Sequence, residues 1–402
     1  MEKLNILFIT SSDVSPLNGG IDRVVILLAE ELNKLPQYQV FSAYFEIKHT
    51  SANIFKKKIK VDEKNMLSEL SDFIRENEIN IILNNVLERK KLKFLLPALE
   101  KISKQEHTCK ILYHYHNLPG FEKASIYPKM YWMRLKNGQY KLHYFYKLML
   151  QLMARLTRNK LLIRYWVKKY RALYQFSDKI VLLSRAYIPV FANCAQVSVN
   201  DKLVAINNPL SFSESIKIDS IYSKQKEALI VSRLDEEQKR LSLALKIWKK
   251  IESNALLSEW KLTIVGDGED KLYYQNLVKK LKLQRVFFEG AQNPEIYYKR
   301  SSIFIMTSAY EGWGLTLTEA QQMGVVPVAF DTFGAVHDII EDKYNGLIIP
   351  NNDIERYADK LAWLMQHDEE RQTMACNAVE SSKKFHPSEI GKQWVKLLFA
   401  PS

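Results

Sequence analysis

The stretch Ile303-Phe304-Ile305-Met306-Thr307-Ser308-Ala309-Tyr310-Glu311-Gly312-Trp313-Gly314-Leu315-Thr316-Leu317-Thr318-Glu319 carries the reading of the chain. A short apolar run, Ile303–Met306, has the length and composition of a buried strand. A glycine-rich loop follows, and from Thr316 a helix runs on until Gly324 ends it. Strand, loop, helix is the unit of a parallel sheet. Gly312 and Gly314 leave backbone N–H groups free to face an anion. Glu311 and Glu319 bracket the loop and helix start, with seven residues between them. For Glu319 a structural role competes, because Thr316-x-x-Glu319 is a capping box. Glu311, beside a glycine turn at a strand end, has no comparable structural explanation.

Working outward, the same alternation covers the chain. Ala228–Val231, Leu262–Val265, Val286–Phe288, Val325–Phe330 and Gly346–Ile349 read as strands around Ile303–Met306, with helical patterns at Leu241–Ile251 and Asn276–Leu283. A second set lies earlier: strands at Leu4–Ile9, Gln39–Phe45, Asn80–Leu83, Lys110–His114 and Lys179–Leu183, helices at Ser68–Asn77 and Leu92–Lys104. Asp22 is placed as the N-cap of a helix carrying Val24, Leu28, Leu32 and Leu35. Between the sets, Asn207-Asn208-Pro209 and polar Ser211–Ser223 read as a linker. The expectation is an α/β protein with two similar-sized doubly wound domains, 1–207 and 208–385, and a ligand site in the cleft between them.

Composition narrows the class. The chain has 402 residues, with 47% hydrophobic content and 3 cysteines. That hydrophobic share excludes a largely disordered chain. Cys109, Cys194 and Cys376 are far apart, which argues against a disulfide framework and for a reducing cytoplasm. No run approaches 18 apolar residues, and Leu4–Ile9 is too short for a signal-peptide core. The formal charge of +13 is concentrated: residues 123–177 hold 13 Lys and Arg and no acid, and the rest of the chain is balanced at 45 of each sign. The same segment carries 12 aromatics. Within it, Leu142, Phe145, Tyr146, Met149, Leu152, Met153 and Leu156 recur at helical spacing, an amphipathic pattern suited to an anionic membrane interface. Packing of that stripe on the domain core is the plainer alternative.

Further loops are candidates for a phosphate or sugar site. Gly19 and Gly20 stand between the first strand and first helix, where a backbone turn and a helix N-terminus suit an anion. Arg233 and Lys239 follow the strand at Ala228–Ser232 and suit a diphosphate, guanidinium as a fork and ammonium as a point charge. Balance by Asp235, Glu236 and Glu237 is the alternative. Gly266 opens Gly266-Asp267-Gly268 at another strand end. His114 and His116 alternate on a strand, so both are expected on one cleft wall. No third ligand at a recognisable spacing accompanies them, so a metal is not expected. GxxxxGK[ST], GxGxxG and Gly-x-Ser-x-Gly are absent, which argues against a P-loop NTPase, a dinucleotide dehydrogenase and an α/β-hydrolase.

These motifs in this order resemble the retaining glycosyltransferases of family 4, which have the GT-B fold. The resemblance runs from Ile6 to about Pro350. It rests on Gly19-Gly20-Ile21-Asp22-Arg23-Val24, His116, Asn208-Pro209, Ser232-Arg233-Leu234 with Lys239, Val265-Gly266-Asp267-Gly268, Phe288-Glu289-Gly290, Glu311-x7-Glu319 and Asn345-Gly346-Leu347. It implies two Rossmann-like doubly wound domains facing across a cleft, with a C-terminal helix within 386–402 crossing back to the N-terminal domain, and a nucleotide-sugar donor, UDP by preference, held mainly by the C-terminal domain. Arg233 and Lys239 hold the diphosphate, and Glu319 binds the ribose. Glu311 contacts the sugar ring, and backbone groups of Gly312, Trp313, Gly314, Leu315 and Thr316 contact phosphate and sugar. Gly19 and Gly20 close from the other domain, and His116 contacts the sugar near the reacting centre. The reaction implied is front-face transfer with retention, without metal or cofactor. The acceptor is a glycan or a lipid-linked sugar of polysaccharide, capsule or lipopolysaccharide biosynthesis, with the protein peripheral on the inner face of the cell membrane. Gly334-Ala335, Asp338 and Trp313 depart from the family pattern of Gly-Gly, Glu and Phe. A sugar-phosphate epimerase of the same architecture and a nucleic-acid-binding protein using the basic segment are the competing readings. The latter leaves Glu311 and Glu319 without a role, and no nucleic-acid partner is expected.

Overall fold

The computed structural model describes residues 3–120 except 17, 50, 51, 87 and 106–108, residue 149, and residues 160–399. The Tyr140–Leu156 stripe therefore lies outside the described residues, Met149 excepted.

The chain forms two compact units, the first made of residues up to Pro119, Leu161–Ser211 and Phe385 onward, the second containing Phe212–Lys384. The boundary falls at Ser211/Phe212, a few residues after the Asn207/Asn208 break expected from the sequence. Phe212 marks it physically: its backbone N–H donates to Gln322 Oε1 at 3.2 Å and its carbonyl accepts from Gln322 Nε2 at 2.7 Å.

The first unit is built on one parallel sheet. Its strands are β1 (Leu4–Ser12), β2 (Tyr38–Glu46), β3 (Lys58–Lys60), β4 (Ile79–Asn84), β5 (Lys110–Tyr115), β6 (Lys179–Leu182) and β7 (Leu203–Ala205), in the order β3-β2-β1-β4-β5-β6-β7. Ile6, Leu7, Phe8 and Ile9 are fully buried, as expected of a central strand covered on both faces. The order reverses between β1 and β4, the switch point of a doubly wound sheet. The final helix, Pro387–Phe399, is part of this unit. Ile390, Trp394 and Leu398 join the core of Ile6, Phe8, Val25 and Leu83.

The second unit repeats the plan. Strands β8 (Gln225–Val231), β9 (Lys261–Val265), β10 (Val286–Gly290), β11 (Ser301–Met306), β12 (Val326–Asp331) and β13 (Leu347–Pro350) lie in the order β10-β9-β8-β11-β12-β13. Every pairing is parallel. The switch point is between β8 and β11, and the loops that leave their carboxyl ends begin at Ser232 and Thr307. Trp248, Trp260, Tyr274 and Tyr357 fill the core beneath. At the start of β8 the fully buried Glu227 takes both Nε and Nη2 of Arg300, at 2.9 and 3.0 Å, so a carboxylate inside the fold is compensated.

Two local expectations are corrected. Asp22 does not cap the first helix. The helix Gly20–Asn33 has Gly19 as N-cap, at φ 127°, and Asp22 lies inside its first turn. Its carboxylate reaches back to accept from Ser15 N (3.1 Å) and Asn18 Nδ2 (2.6 Å), tying down the glycine loop. Nor does Thr316 open a capping box with Glu319. Gly314, at φ 98°, is the N-cap of Leu315–Gln322, so Thr316 is already helical. A glycine reaches that left-handed conformation without a Cβ penalty, and this shifts the helix start back.

Candidate active site at the switch points

In the second unit the loops after β8 and β11 are bound to each other. Lys239 ends the short helix Glu236–Lys239, which Asp235 caps by accepting from Glu237 N at 3.0 Å. Arg240 follows in the left-handed conformation, at φ 49°. Its guanidinium donates to the carbonyls of Thr307 (2.8 Å) and Ser308 (2.9 Å) and to the side-chain oxygens of Asn351 and Asn352. Thr307 Oγ1 donates back to the Lys239 carbonyl at 3.0 Å, and Ala309 N to the Gln238 carbonyl at 2.7 Å. Segment 307–311 is thereby clamped onto 238–240. Nothing in sequence spacing marks Arg240 or Gln238, because both act through contacts about seventy residues away.

The clamp brings three sequence candidates together. Lys239 Nζ lies 2.5 Å from Glu311 Oε1, and both side chains are largely covered. Glu311 Oε2 accepts from Gln238 Nε2 at 3.2 Å. Arg233 Nη2 donates to Gln238 Oε1 at 2.9 Å and to Asp235 Oδ2 at 3.2 Å, with its side chain 63% exposed. The structure thus gives Glu311 what the sequence did not, a structural partner: it is a buried carboxylate in an ion pair, not an open loop group. The expected balance of charge by the neighbouring acids is seen for Arg233 with Asp235. Glu236 instead accepts from Ser242 and Tyr274, and burial raises its carboxyl above the ordinary range.

The other second-unit candidates sit around this cluster. A Cβ on Gly266 would lie 1.9 Å from the Ser232 carbonyl oxygen, and one on Gly268 2.4 Å from that of Leu234. Both glycines let the loops after β8 and β9 approach closely, a packing demand that is separate from ligand contact. Gly312, Trp313 and Gly314 form the turn, with Trp313 buried; Leu315 and Thr316 begin the helix. Glu319 is fully buried, and its Oε2 accepts from the Tyr298 hydroxyl at 3.1 Å.

In the first unit, Gly19 and Gly20 stand after β1 at the switch point, and a Cβ on Gly19 would meet nothing within 4 Å. His116 follows β5 and is buried. Its Nε2 lies 2.9 Å from Asn85 Oδ1, and Asn85 Nδ2 donates to the Leu83 carbonyl at 3.0 Å. Since that bond fixes the amide, Oδ1 faces the ring, and Nε2 carries the proton. His114 lies beside His116, as strand alternation implies, but not on an open wall. It is buried, with its ring 3.9 Å from that of His116 and 4.9 Å, edge-on, from Trp394. Burial pushes His116 down to about 3, and burial together with His116 holds His114 well below the usual imidazole range. Both rings are neutral. Among the described residues no cluster of three or more His, Cys, Asp or Glu is placed to hold a metal.

Residues 211–381 match the family described as Glycosyl transferases group 1. Relatives include a GalNAc-transferring enzyme of Campylobacter jejuni, named as an alpha-1,4-N-acetyl-D-galactosaminyltransferase acting on a diNAcBac-PP-undecaprenol-linked glycan. It is 25% identical over 236 residues, which are 58% of this chain and 63% of the relative. The amylovoran biosynthesis glycosyltransferase AmsD of Erwinia amylovora is 29% identical over 229 residues, 56% of this chain and 63% of that one. The chain thus spans a little under two thirds of these relatives. Among solved structures, Anabaena HepE in complex with UDP superposes with a TM-score of 0.68 at 15% identity, covering 98% of this chain and 99% of that one. TarM gives 0.69 at 14% identity, covering 98% and 99%. The fold is GT-B.

Proposed function

We propose that the protein is a retaining glycosyltransferase that moves a sugar from a nucleotide-sugar, UDP-linked by preference, to a glycan or lipid-linked acceptor. The observation that carries this reading is the Arg233–Gln238–Glu311–Lys239 cluster at the carboxyl ends of β8 and β11, where a doubly wound sheet takes its ligand. As the bond from the anomeric carbon to the leaving diphosphate breaks, the electron pair goes to a phosphate oxygen and positive charge grows on the sugar. Arg233 and Lys239 are placed for the first charge and Glu311 for the second, so the site is organised before the reaction begins. Both oxygens of Glu311 are already engaged, which suits a fixed countercharge. These preplaced cations can serve the diphosphate without a metal. The first unit offers Gly19, Gly20 and His116. With Nε2–H committed to Asn85, the neutral His116 ring can accept a hydrogen bond at Nδ1 from a sugar hydroxyl but supplies no charge.

The test is incubation with UDP- and GDP-sugars, with and without a glycan or undecaprenyl-diphosphate-linked acceptor. Free nucleoside diphosphate and a product retaining the donor's anomeric configuration are expected. An epimerised nucleotide-sugar in place of transfer would sink the reading, as would failure to release either nucleotide.

The acceptor side is proposed to meet an anionic membrane. In the helix Lys160–Gln175, Trp166, Tyr170 and Leu173 turn inward, while Arg164, Lys168 and Arg171 are exposed at i, i+4 and i+7, beside exposed Ile163 and Tyr165. Cations flanked by exposed apolar groups suit an anionic interface, at about 1 kcal/mol per Lys or Arg. Among the described residues no helix is long and apolar enough to cross a membrane. Sedimentation with anionic vesicles at low salt, lost above about 0.5 M salt by screening, is the expected result. Equal recovery in the supernatant with anionic and neutral vesicles argues for a non-membrane acceptor.

A further inference from the structure

We propose that Gln238 is a positioning residue that couples the diphosphate arginine to the sugar-facing carboxylate, so that Arg233 and Glu311 are set as one unit. The inference rests on the transferase reading above. Its warrant is the chemistry of one amide. Gln238 Oε1 accepts from Arg233 Nη2 at 2.9 Å, and Gln238 Nε2 donates to Glu311 Oε2 and to the Tyr310 carbonyl, each at 3.2 Å. A guanidinium only donates and a carboxylate only accepts, so the amide has one possible orientation here. Glutamine is neutral and offers an acceptor and a donor side by side on one planar amide, which is what these two partners require. Glutamate would hold Arg233 but turn an acceptor towards Glu311. Leucine would serve neither partner.

The surroundings show why a coupler matters. Arg233 is mostly exposed, and its other bond is to Asp235, two residues along the same loop. Glu311 is buried, and its Oε1 is taken by Lys239. Gln238 joins this exposed cation to that buried anion, and its own backbone is pinned by the Ala309 N–H. Without it, Arg233 is left to Asp235, and Glu311 keeps Lys239 with one oxygen less constrained. The diphosphate still finds both cations. What is lost is their registration with the carboxylate at the moment charge separates, a cost borne by turnover more than by binding.

The experiment measures UDP and GDP binding by calorimetry and donor turnover on the full chain, for wild type, Gln238→Leu, the nearly isosteric Gln238→Glu, Arg233→Ala, and Gln238→Leu combined with Arg233→Ala. Both single variants are expected to lose about tenfold or more in kcat, with the nucleotide Kd raised by no more than about threefold. In the Arg233→Ala background, Gln238→Leu is expected to add much less than its own factor, because the two act as a unit. A merely structural glutamine would lower the melting temperature and leave kcat of the folded fraction and the additivity unchanged, which overturns the proposal. Gln238→Glu keeps the question decidable where the leucine variant fails to fold. Wild type that neither binds a nucleotide nor turns over a donor removes the transferase reading, and this inference with it. Binding and turnover in wild type with near-normal kcat in both variants removes this inference alone.

Discussion

Lys239 Nζ and Glu311 Oε1 are 2.5 Å apart, with side chains 15% and 10% exposed. The pair joins the loop after β8 to the loop after β11, so one ion pair serves both the fold and the proposed site. Glu311→Ala is therefore not neutral for stability. It leaves Lys239 covered and unpaired on that side, and a loss on the order of 2–3 kcal/mol is expected alongside the loss of transfer. Urea denaturation of Glu311→Ala, Lys239→Ala and the double variant checks this. A double variant as destabilised as the two singles summed would contradict the pairing.

Arg233→Ala has the opposite profile. Its guanidinium is exposed, so the melting temperature should hardly move, whereas affinity for UDP should fall roughly tenfold to a hundredfold through loss of a charge-assisted contact. Calorimetric titration with UDP is the measurement, and unchanged affinity places the diphosphate elsewhere.

Glu319 depends on Tyr298. The hydroxyl donates to Glu319 Oε2 at 3.1 Å in a fully buried setting. Tyr298→Phe removes one oxygen and leaves a buried acceptor short of a donor. About 1–3 kcal/mol of stability should be lost, read by chemical denaturation. A cost below about 0.5 kcal/mol would show that this contact contributes little.

Gly266→Ala tests close approach of backbone in the second unit. Its Cβ would meet the Ser232 carbonyl oxygen at 1.9 Å, and the backbone stands at φ 138°. Neither obstacle is the end of a flexible side chain, so destabilisation on the order of 3 kcal/mol is expected. Gly19→Ala meets no such contact. The two melting temperatures compared decide whether packing or φ alone sets the cost.

The histidines give a pH dependence. His116 has its pKa pushed from 6.5 to about 3 by burial, and His114 is lowered in the same direction. Well above pH 6.5 both are neutral folded or unfolded, and they impose no penalty. As pH falls from 6.5 towards 3, the unfolded chain takes up protons that the folded one refuses, so stability declines. The slope is at most about 1.4 kcal/mol per pH unit for each histidine. Denaturation midpoints at pH 7, 5.5 and 4.5 should fall in that order, and less steeply in His116→Gln. A flat profile would mean that the rings are solvated.

Much of the fold was legible because buried parallel strands announce themselves. Ile303–Met306, Lys261–Val265 and Leu4–Ser12 are runs of apolar residues with glycine or polar loops at the ends, and their boundaries came within a few residues. The two edge strands of the first sheet were not legible. Lys58–Lys60 and Leu203–Ala205 are three residues long, and only pairing with β2 and β6 makes them strands. The first-helix cap was misread at Asp22, since nothing local says that its carboxylate turns back to Ser15 and Asn18.

The sequence by itself determined two α/β units, the positions of their strand-end loops, and the identities of Arg233, Lys239, Glu311, Glu319 and His116 as candidates. Those features are local: hydrophobic periodicity, glycine and charge are written within a dozen residues of one another. Only the tertiary structure decided which of them meet. The switch between β8 and β11 brings residue 239 to residue 311, makes Glu311 a buried partner of Lys239, and gives Gln238 and Arg240 their roles. In the first unit, the turn from β4 gives His116 its Asn85, and the last helix sets Trp394 against His114. Such pairings depend on strand order and loop closure over long stretches of chain, and the spacing of residues along a sequence does not encode them one by one.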